Sequence, residues 1–451
     1  MRFWAAALMT GVLGVPAGAT DFALYVTLPT NMDVRGTYGE NLSSLVDMSE
    51  TPLDPEGAIV VYQGQLGLYP KAGIHLVEMD PDYMDRHFDA MRKNLHRWVP
   101  EGYDGVIVVD YEAWWAAWDH NFNFPSRADA AALDQDFKDD WLDYIEQYRP
   151  HVIAGKSGTE REIALRDSYE EAAVRFLIAT IRECKRLRPD AKWGYYNYPR
   201  MLYGSSLTPG GVVGYGDCTH YASEVNDRLA PLWDELDVTA PRVYPPRRTV
   251  PDGKVTDKMA ENTITQQREF LASHVREARR LAPQSLVIPF VSTRYYGAKT
   301  PDVEGHFLNE LNTYLQFTVP KEADADGVLL WGDSMTSAMA RQTAAWMNDL
   351  AIPITNRIWE GWYGKPFGLP GAAAVPRKPS GGPEATPSSI PAAAIMRFAN
   401  LAEGGPEWGH VREGEARIHM PSHSPTATVS TPVHRGGRIV GRRAVKRDEA
   451  P

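Results

Sequence analysis

Short apolar runs recur along the chain from Asp21 to about Gly368, with helical stretches between most of them, and no other feature narrows the fold so far. The runs are Phe22–Leu28, Ala58–Tyr62, Gly105–Asp110, Lys192–Tyr198, Val238–Tyr244, Ser285–Val291 and Gly327–Trp331. Each is almost continuously apolar, the pattern of a strand buried on both faces of a parallel sheet. Pro81–Trp98, Gln135–Tyr148, Tyr169–Leu187, Lys258–Leu281 and Ser334–Ala351 carry the clearest helical spacing. Alternation of this kind builds βα units. The expected fold is α/β: a distorted (β/α) barrel of the triosephosphate isomerase kind with about seven or eight parallel strands. A doubly wound open sheet is the alternative. No glycine-rich phosphate loop follows the first run, which weighs against its nucleotide-binding form.

The two ends read differently from this middle. Arg2, the apolar stretch Phe3–Val15 and the small residues Ala17-Gly18-Ala19 have the layout of a secretory signal peptide over residues 1–19, cleaved before Thr20. The apolar stretch is short for a bilayer span, and no later segment is apolar enough for one. The barrel is therefore expected over 20–368. Residues 369–451 are rich in Pro, Gly, Ala and Ser and read as a disordered tail with a basic end, Arg435–Arg447. The whole chain carries a formal charge of −11; the tail is net positive, so the barrel is more acidic still. That excludes nucleic acid as a natural partner and disfavours polyanions in general. Two cysteines, Cys184 and Cys218, leave no disulfide framework, and Cys184, inside a helical stretch, reads as a buried thiol.

The chemistry concentrates in Gly105-Val-Ile-Val-Val-Asp110-Tyr-Glu112. A buried strand ends in two carboxylates spaced by two residues, hence on the same side. The C-terminal ends of barrel strands carry the active site, so Asp110 and Glu112 are expected to project together into the barrel mouth. The plainer alternative is that they cap the next helix or pair with basic groups. Close like charges resist joint ionisation, so one carboxyl keeps its proton to higher pH and becomes a general acid. Two carboxylates about 7 Å apart on one side of a strand do not flank a glycosidic bond as a conventional pair does. A substrate whose N-acetyl group supplies the nucleophile removes that difficulty.

Around this strand the chain resembles the hyaluronidases, glycoside hydrolases of animals and venoms. Asp110-Tyr-Glu112-Ala-Trp114-Trp-Ala-Ala-Trp118-Asp-His-Asn121-Phe is similar to their D-x-E-x-W-R-P-x-W-x-x-N-W signature. Four more segments follow the family's order: Tyr62 to Pro70, Leu187-Arg-Pro189 with Trp193-Gly-Tyr-Tyr196-Asn-Tyr-Pro199, Leu232-Trp233 with Pro241-Arg-Val-Tyr244, and Gly327 to Gly332. The resemblance covers roughly Asp21 to Ala351. It implies that Glu112 is the proton donor and that Asp110 orients and polarises the acetamido group. It further implies that Tyr196, Tyr244 and Trp331 line the N-acetylhexosamine subsite and that Tyr62 lines the groove, with Asp333 beside them.

The departures bear on substrate. Trp115 stands where the family has Arg, Asp333 where it has Ser, and most of the family's cysteines are missing. A lost Arg and an acidic domain point toward a neutral hexosamine glycan, which would stack on the added aromatic face of Trp115; Arg200, Arg242 and Arg294 lie near strand ends and offer local positive charge against that argument. The expected function is a secreted endo-glycosidase cleaving N-acetylhexosamine glycans, of the hyaluronan or chondroitin type or a neutral relative, with retention. It is expected to be monomeric, to act on a polysaccharide or oligosaccharide, and to need no cofactor and no metal, since the 12 His show no ligand spacing. A chitinase-like hydrolase is one alternative; that class places two further Asp where Gly105 and Val108 stand. A carbohydrate-binding barrel without activity is the other.

Overall fold

A computed structural model of the chain describes residues 22–27, 45–121, 130–201, 220–257, 261–296, 303, 305–332 and 337–364. The signal segment, Cys218, Asp333 and the tail from 369 onward lie outside the described residues. The strands, in chain order, are β1 (Ala23–Thr27), β2 (Leu53–Asp54), β3 (Ala58–Tyr62), β4 (Val106–Asp110), β5 (Lys192–Tyr196), β6 (Val238–Ala240), β7 (Arg248–Val250), β8 (Glu261–Thr263), β9 (Leu286–Val287), β10 (Phe290–Ser292) and β11 (Gly327–Trp331).

Every ladder is parallel. Strands β3-β4-β5-β6-β9 form one arc, β10-β11-β1-β2 a second, and β7-β8 a separate pair. The arcs meet in the run 286–292. Its first half bonds to β6; its second half bonds to β11. Between them Pro289 has no N–H to give a ladder, but its carbonyl accepts from Leu329 N at 3.0 Å. One continuous segment thus passes from one arc into the other. On the opposite side β1 and β3 belong to separate arcs. With β9 and β10 sharing one position, the two arcs hold eight strand positions, seven at the apolar runs and an eighth at the two-residue β2, which no apolar run marked.

Alternation along the strands separates two cores. Val106 and Val108 of β4 face inward with Ala58, Val238, Ala240, Phe290 and Leu329. Ile107, Val109, Trp193 and Tyr195 face outward against the helix Gly158–Leu187. That helix buries Leu165, Tyr169, Ala172, Ala173, Phe176, Leu177, Thr180, Ile181 and Cys184, a stripe of 3.6-residue period, and each large apolar side chain buried there contributes roughly 1.5–3 kcal/mol. Cys184 is a buried free thiol, as read from the sequence. At Gly194 a Cβ would overlap the carbonyl oxygen of Val238 on β6, so the glycine of the W-G-Y-Y segment lets β5 and β6 close up.

Element limits differ from expectation for physical reasons. The run Val238–Tyr244 leaves the ladder at Ala240, before Pro241, and touches the next strand again only through an Arg242–Phe290 bridge. The stretch expected as helix from Lys258 contains β8 first; the helix Ile264–Leu281 begins where Thr263 and Gln266 form a capping box. Tyr169–Leu187 is the buried half of a helix that starts at Gly158. The helix Glu310–Glu322 was not foreseen: it buries Asn312, Thr313, Gln316 and Thr318 and carries Pro320 in its last turn.

Candidate active site

The inward face of β4 continues from Val106 and Val108 to Asp110 and, one step beyond the strand, to Glu112. The carbonyl of Asp110 still accepts a hydrogen bond from Gln63 N, at 2.9 Å. The outward residues between and after them are anchors. Tyr111 packs on Tyr69 with ring centroids 4.1 Å apart, and Trp114 stacks on the same ring at 5.1 Å. Trp114 Nε1 donates to Pro70 O at 2.8 Å, and Tyr69 OH donates to Trp114 O at 3.0 Å. Asn121 clasps the loop from the other side: its amide donates to Trp115 O and Ala117 O and accepts from Trp115 N. The aromatic and Asn positions of the motif therefore hold the backbone that carries Glu112.

The two carboxylates lie in contrasting surroundings. Asp110 Oδ1 is buried and has no hydrogen-bond partner. Burial, and then the charge of Glu112, pushes its carboxyl well above the usual range. Glu112 is reached by solvent yet has protein groups around it, Arg242 and Arg200 among them. Burial raises its carboxyl too, opposed by Arg242 and then Arg200. The groups interact, so the proton retained above the ordinary carboxyl range belongs to the pair.

Ladder register brings the aromatic residues to the same level. Tyr62 pairs with Asp110 across β3 and β4, and Tyr196 with Ala240 across β5 and β6. The Tyr196 and Tyr244 rings lie 6.4 Å apart, and both acidic side chains act on Tyr196. Tyr244 stacks on Trp331 at 5.8 Å, and Trp331 Nε1 donates to Tyr62 OH at 3.1 Å. Of the residues singled out in the sequence, Asp110, Glu112, Tyr62, Tyr196, Tyr244 and Trp331 thus surround one mouth. Tyr296 joins them, 5.3 Å from the Tyr244 ring and 5.8 Å from Trp331. It was missed although it stands just past the end of the run Ser285–Val291, the place where the other members were found.

Trp115 is corrected. Its ring is 8% exposed and lies under the Arg200 guanidinium, so it offers no open face for a sugar. Arg200 and Arg242 both lie close enough to Glu112 to act on its charge. Arg294 is engaged elsewhere, over the Phe307 ring and donating to Gly305 O.

Comparison with known proteins identifies the family and the fold. The family model described as hyaluronidase matches residues 41–355. A hyaluronidase of Apis mellifera is 27% identical over 330 residues, 71% of this chain and 74% of its own. One of Loxosceles intermedia is 24% identical over 311 residues, covering 67% and 70%. A chondroitin hydrolase of Caenorhabditis elegans is 26% identical over 286 residues, covering 62% and 55%. The crystal structure of bee venom hyaluronidase superposes with a TM-score of 0.55 at 22% identity, over 74% of this chain and 99% of that one, and carries the same fold. The chain belongs to the hyaluronidase family and is a glycoside hydrolase.

Proposed function

We propose that the protein is an exported endo-hydrolase of glycans containing N-acetylhexosamine, and that it works by substrate-assisted retention. The observation that carries the mechanism is the buried, unpartnered oxygen of Asp110 beside a solvent-reached Glu112. A buried carboxylate oxygen left without a donor is costly. An acetamido N–H supplied by the substrate would satisfy it. Such a bond favours the ionised form of Asp110, so binding drives the pair's proton onto Glu112, where the leaving oxygen needs it.

The acetamido oxygen then attacks the anomeric carbon as Glu112 protonates the glycosidic oxygen and the aglycone sugar departs. Positive charge grows on the acetamido nitrogen, and Asp110 stabilises it. Water next attacks the anomeric carbon, gives its proton to Glu112, and reopens the ring with net retention. Tyr196, Tyr244 and Trp331 provide the wall against which the reacting sugar is held, and Tyr62 extends it. Asp333, at the end of β11 in sequence, is proposed for the same subsite.

For substrate class, a hyaluronan or chondroitin type is favoured over a strictly neutral one. Two relatives are named for those activities, and bee venom hyaluronidase has been solved with a hyaluronic acid tetramer. Arg200 and Arg242 offset the acidity of the chain where it matters, at Glu112. Export is inferred from residues 1–19; no helix among the described residues is long and apolar enough to cross a membrane.

The test uses hyaluronan, chondroitin and a neutral chitin oligomer with the wild type and Glu112→Gln. The wild type should cleave a uronate-containing polymer best. The amide is isosteric but has no acidic proton, and general acids contribute about 10²–10⁴-fold, so the variant should lose at least that much turnover with an unchanged unfolding midpoint. A variant retaining a tenth of wild-type turnover would remove Glu112 from the role of acid. Preference for the chitin oligomer at both low and moderate salt would reverse the substrate assignment.

A further inference from the structure

Three residues beyond Glu112, the indole of Trp115 serves as a platform. The guanidinium of Arg200 lies over it, its Cζ 3.9 Å from the ring centroid. Arg200 arrives from a different part of the chain, four residues past the end of β5, after Asn197 in the left-handed region at φ 60° and after Pro199. It is 5% exposed. Nη1 donates to His120 O at 3.1 Å, and Nε is buried with no partner.

Several half-buried and exposed arginines in the chain face carboxylates directly. Arg228 meets Glu170 and Asp119; Arg280 meets Glu277 and Asp227. Among the described residues no carboxylate lies within ion-pair distance of Arg200. Burying a guanidinium is costly, and one bond to a neutral carbonyl does not offset that cost. The indole face offsets part of it, the more so when the cation is desolvated. Burial and Arg242 pull the Arg200 group down to about 9, still protonated at neutral pH, and Glu112 acts in the opposite sense. A cation kept at this cost, seated over an aromatic ring three residues from Glu112 and acting on that carboxyl, has the placement of a functional charge.

We propose that Arg200 is a positioning residue for the acid: clamped on Trp115, its guanidinium supplies the fixed positive charge that stabilises the Glu112 carboxylate once the proton has been delivered. This rests on Glu112 being the general acid. The other groups acting around Glu112 and Arg200 are Asp110 from β4, Tyr196 from β5, Arg242 beyond β6, Tyr198, and His120, which burial and the arginines keep neutral. Arg242, 5.8 Å from the Tyr244 ring, contributes to the same field: it acts on Glu112 more strongly than Arg200 does and acts on Arg200 as well.

The experiment is the pH dependence of kcat/KM for the wild type, Arg200→Lys, Arg200→Met and Arg200→Gln on the best polymer found above. Activity falls at high pH as the acid ionises. Removing a nearby positive charge raises a carboxyl by about one unit or more, so the Met and Gln variants should move the alkaline limb upward by about that much and lower kcat more than they raise KM. Lys keeps the charge and should leave the limb in place. Gln retains a donor for His120, so it reports on the charge even where Met fails to fold. Equal limbs in the Lys, Met and Gln variants would overturn the proposal. Should Glu112→Gln be inactive while the limbs coincide, only the role of Arg200 fails; should Glu112→Gln stay active, the limb is not that of Glu112 and both readings fail.

Discussion

Asp110→Asn tests the pair most directly, because two effects of different origin should appear together. The first is on rate. In the proposed mechanism the carboxylate faces a nitrogen that becomes positive as the ring closes, and two unit charges about 4 Å apart at an effective dielectric near 20 attract by about 4 kcal/mol. Asparagine keeps an oxygen for the N–H but loses that charge. At 1.36 kcal/mol per decade the loss is about 10³-fold in kcat, with KM little changed because the ground state has no such charge. The second effect is on pH. Asp110 and Glu112 are same-face positions about 7 Å apart, and their repulsion at that dielectric is about 2.4 kcal/mol, an upper limit of about 1.7 pH units. Solvent at Glu112 screens part of it, leaving roughly one unit. Removing a negative neighbour makes Glu112 easier to ionise, so the alkaline limb should move down, opposite to the shift expected for Arg200→Met. Initial rates on an N-acetylated oligosaccharide across acidic and neutral pH give both quantities. A kcat loss under tenfold together with an unmoved limb would refute the paired-carboxylate account.

Two further outcomes concern the scaffold. Gly194→Ala places a methyl against Val238 O and should cost about 1–3 kcal/mol, seen as a lower urea midpoint; an unchanged midpoint would mean β5 and β6 are less tightly joined than they look. His87 is buried and pushed down to about 4; it accepts from Leu68 N at 2.9 Å, while its Nε2 donates to the Thr180 hydroxyl, itself a donor to Phe176 O. An unfolded histidine titrates near 6.5. The folded group is depressed, so its stabilisation is complete above about 6.5 and is lost as pH falls toward about 4, through the window where the unfolded state binds more protons. His87→Gln should flatten that fall in unfolding free energy, and an equally steep fall would show that other groups cause it; His274, also lowered to about 4, accounts for part of what remains.

The barrel was legible because its strands are apolar on both faces, which no exposed element imitates. Of the candidate site, Asp110 and Glu112 stood out from their place at the end of a buried run, since strand ends in such a barrel share one mouth, whereas Tyr62, Tyr196, Tyr244 and Trp331 were pointed to by the family resemblance. What escaped lay where local pattern and environment disagree. The helix Glu310–Glu322 buries amides and hydroxyls on its core side, so it shows no apolar stripe. The first turns of Gly158–Leu187 are charged and exposed, and read as loop. Trp115 read as an open face because nothing near it in sequence covers it; its cover, Arg200, comes from beyond another strand. Arg200 and Arg242 were visible as charges near strand ends, but their approach to Glu112 depends on how the ends of β5 and β6 turn after Tyr196 and Ala240.

The bond from Trp331 to Tyr62 has a consequence for the barrel as a whole. Trp331 ends β11 and Tyr62 ends β3, so one indole N–H reaches from the second arc to the first above the place where β1 and β3 run side by side in separate sheets. There the ring of strands is fastened by side chains rather than by a ladder. The same two residues are proposed to touch the sugar. A bound oligosaccharide would then act as a splint across the weakest seam, tying the arc that carries the carboxylates to the arc that carries the tryptophan. Ligand occupancy and resistance to unfolding should rise together, with the gain largest at the open side of the ring and smallest at the run 286–292, where the backbone already holds both arcs.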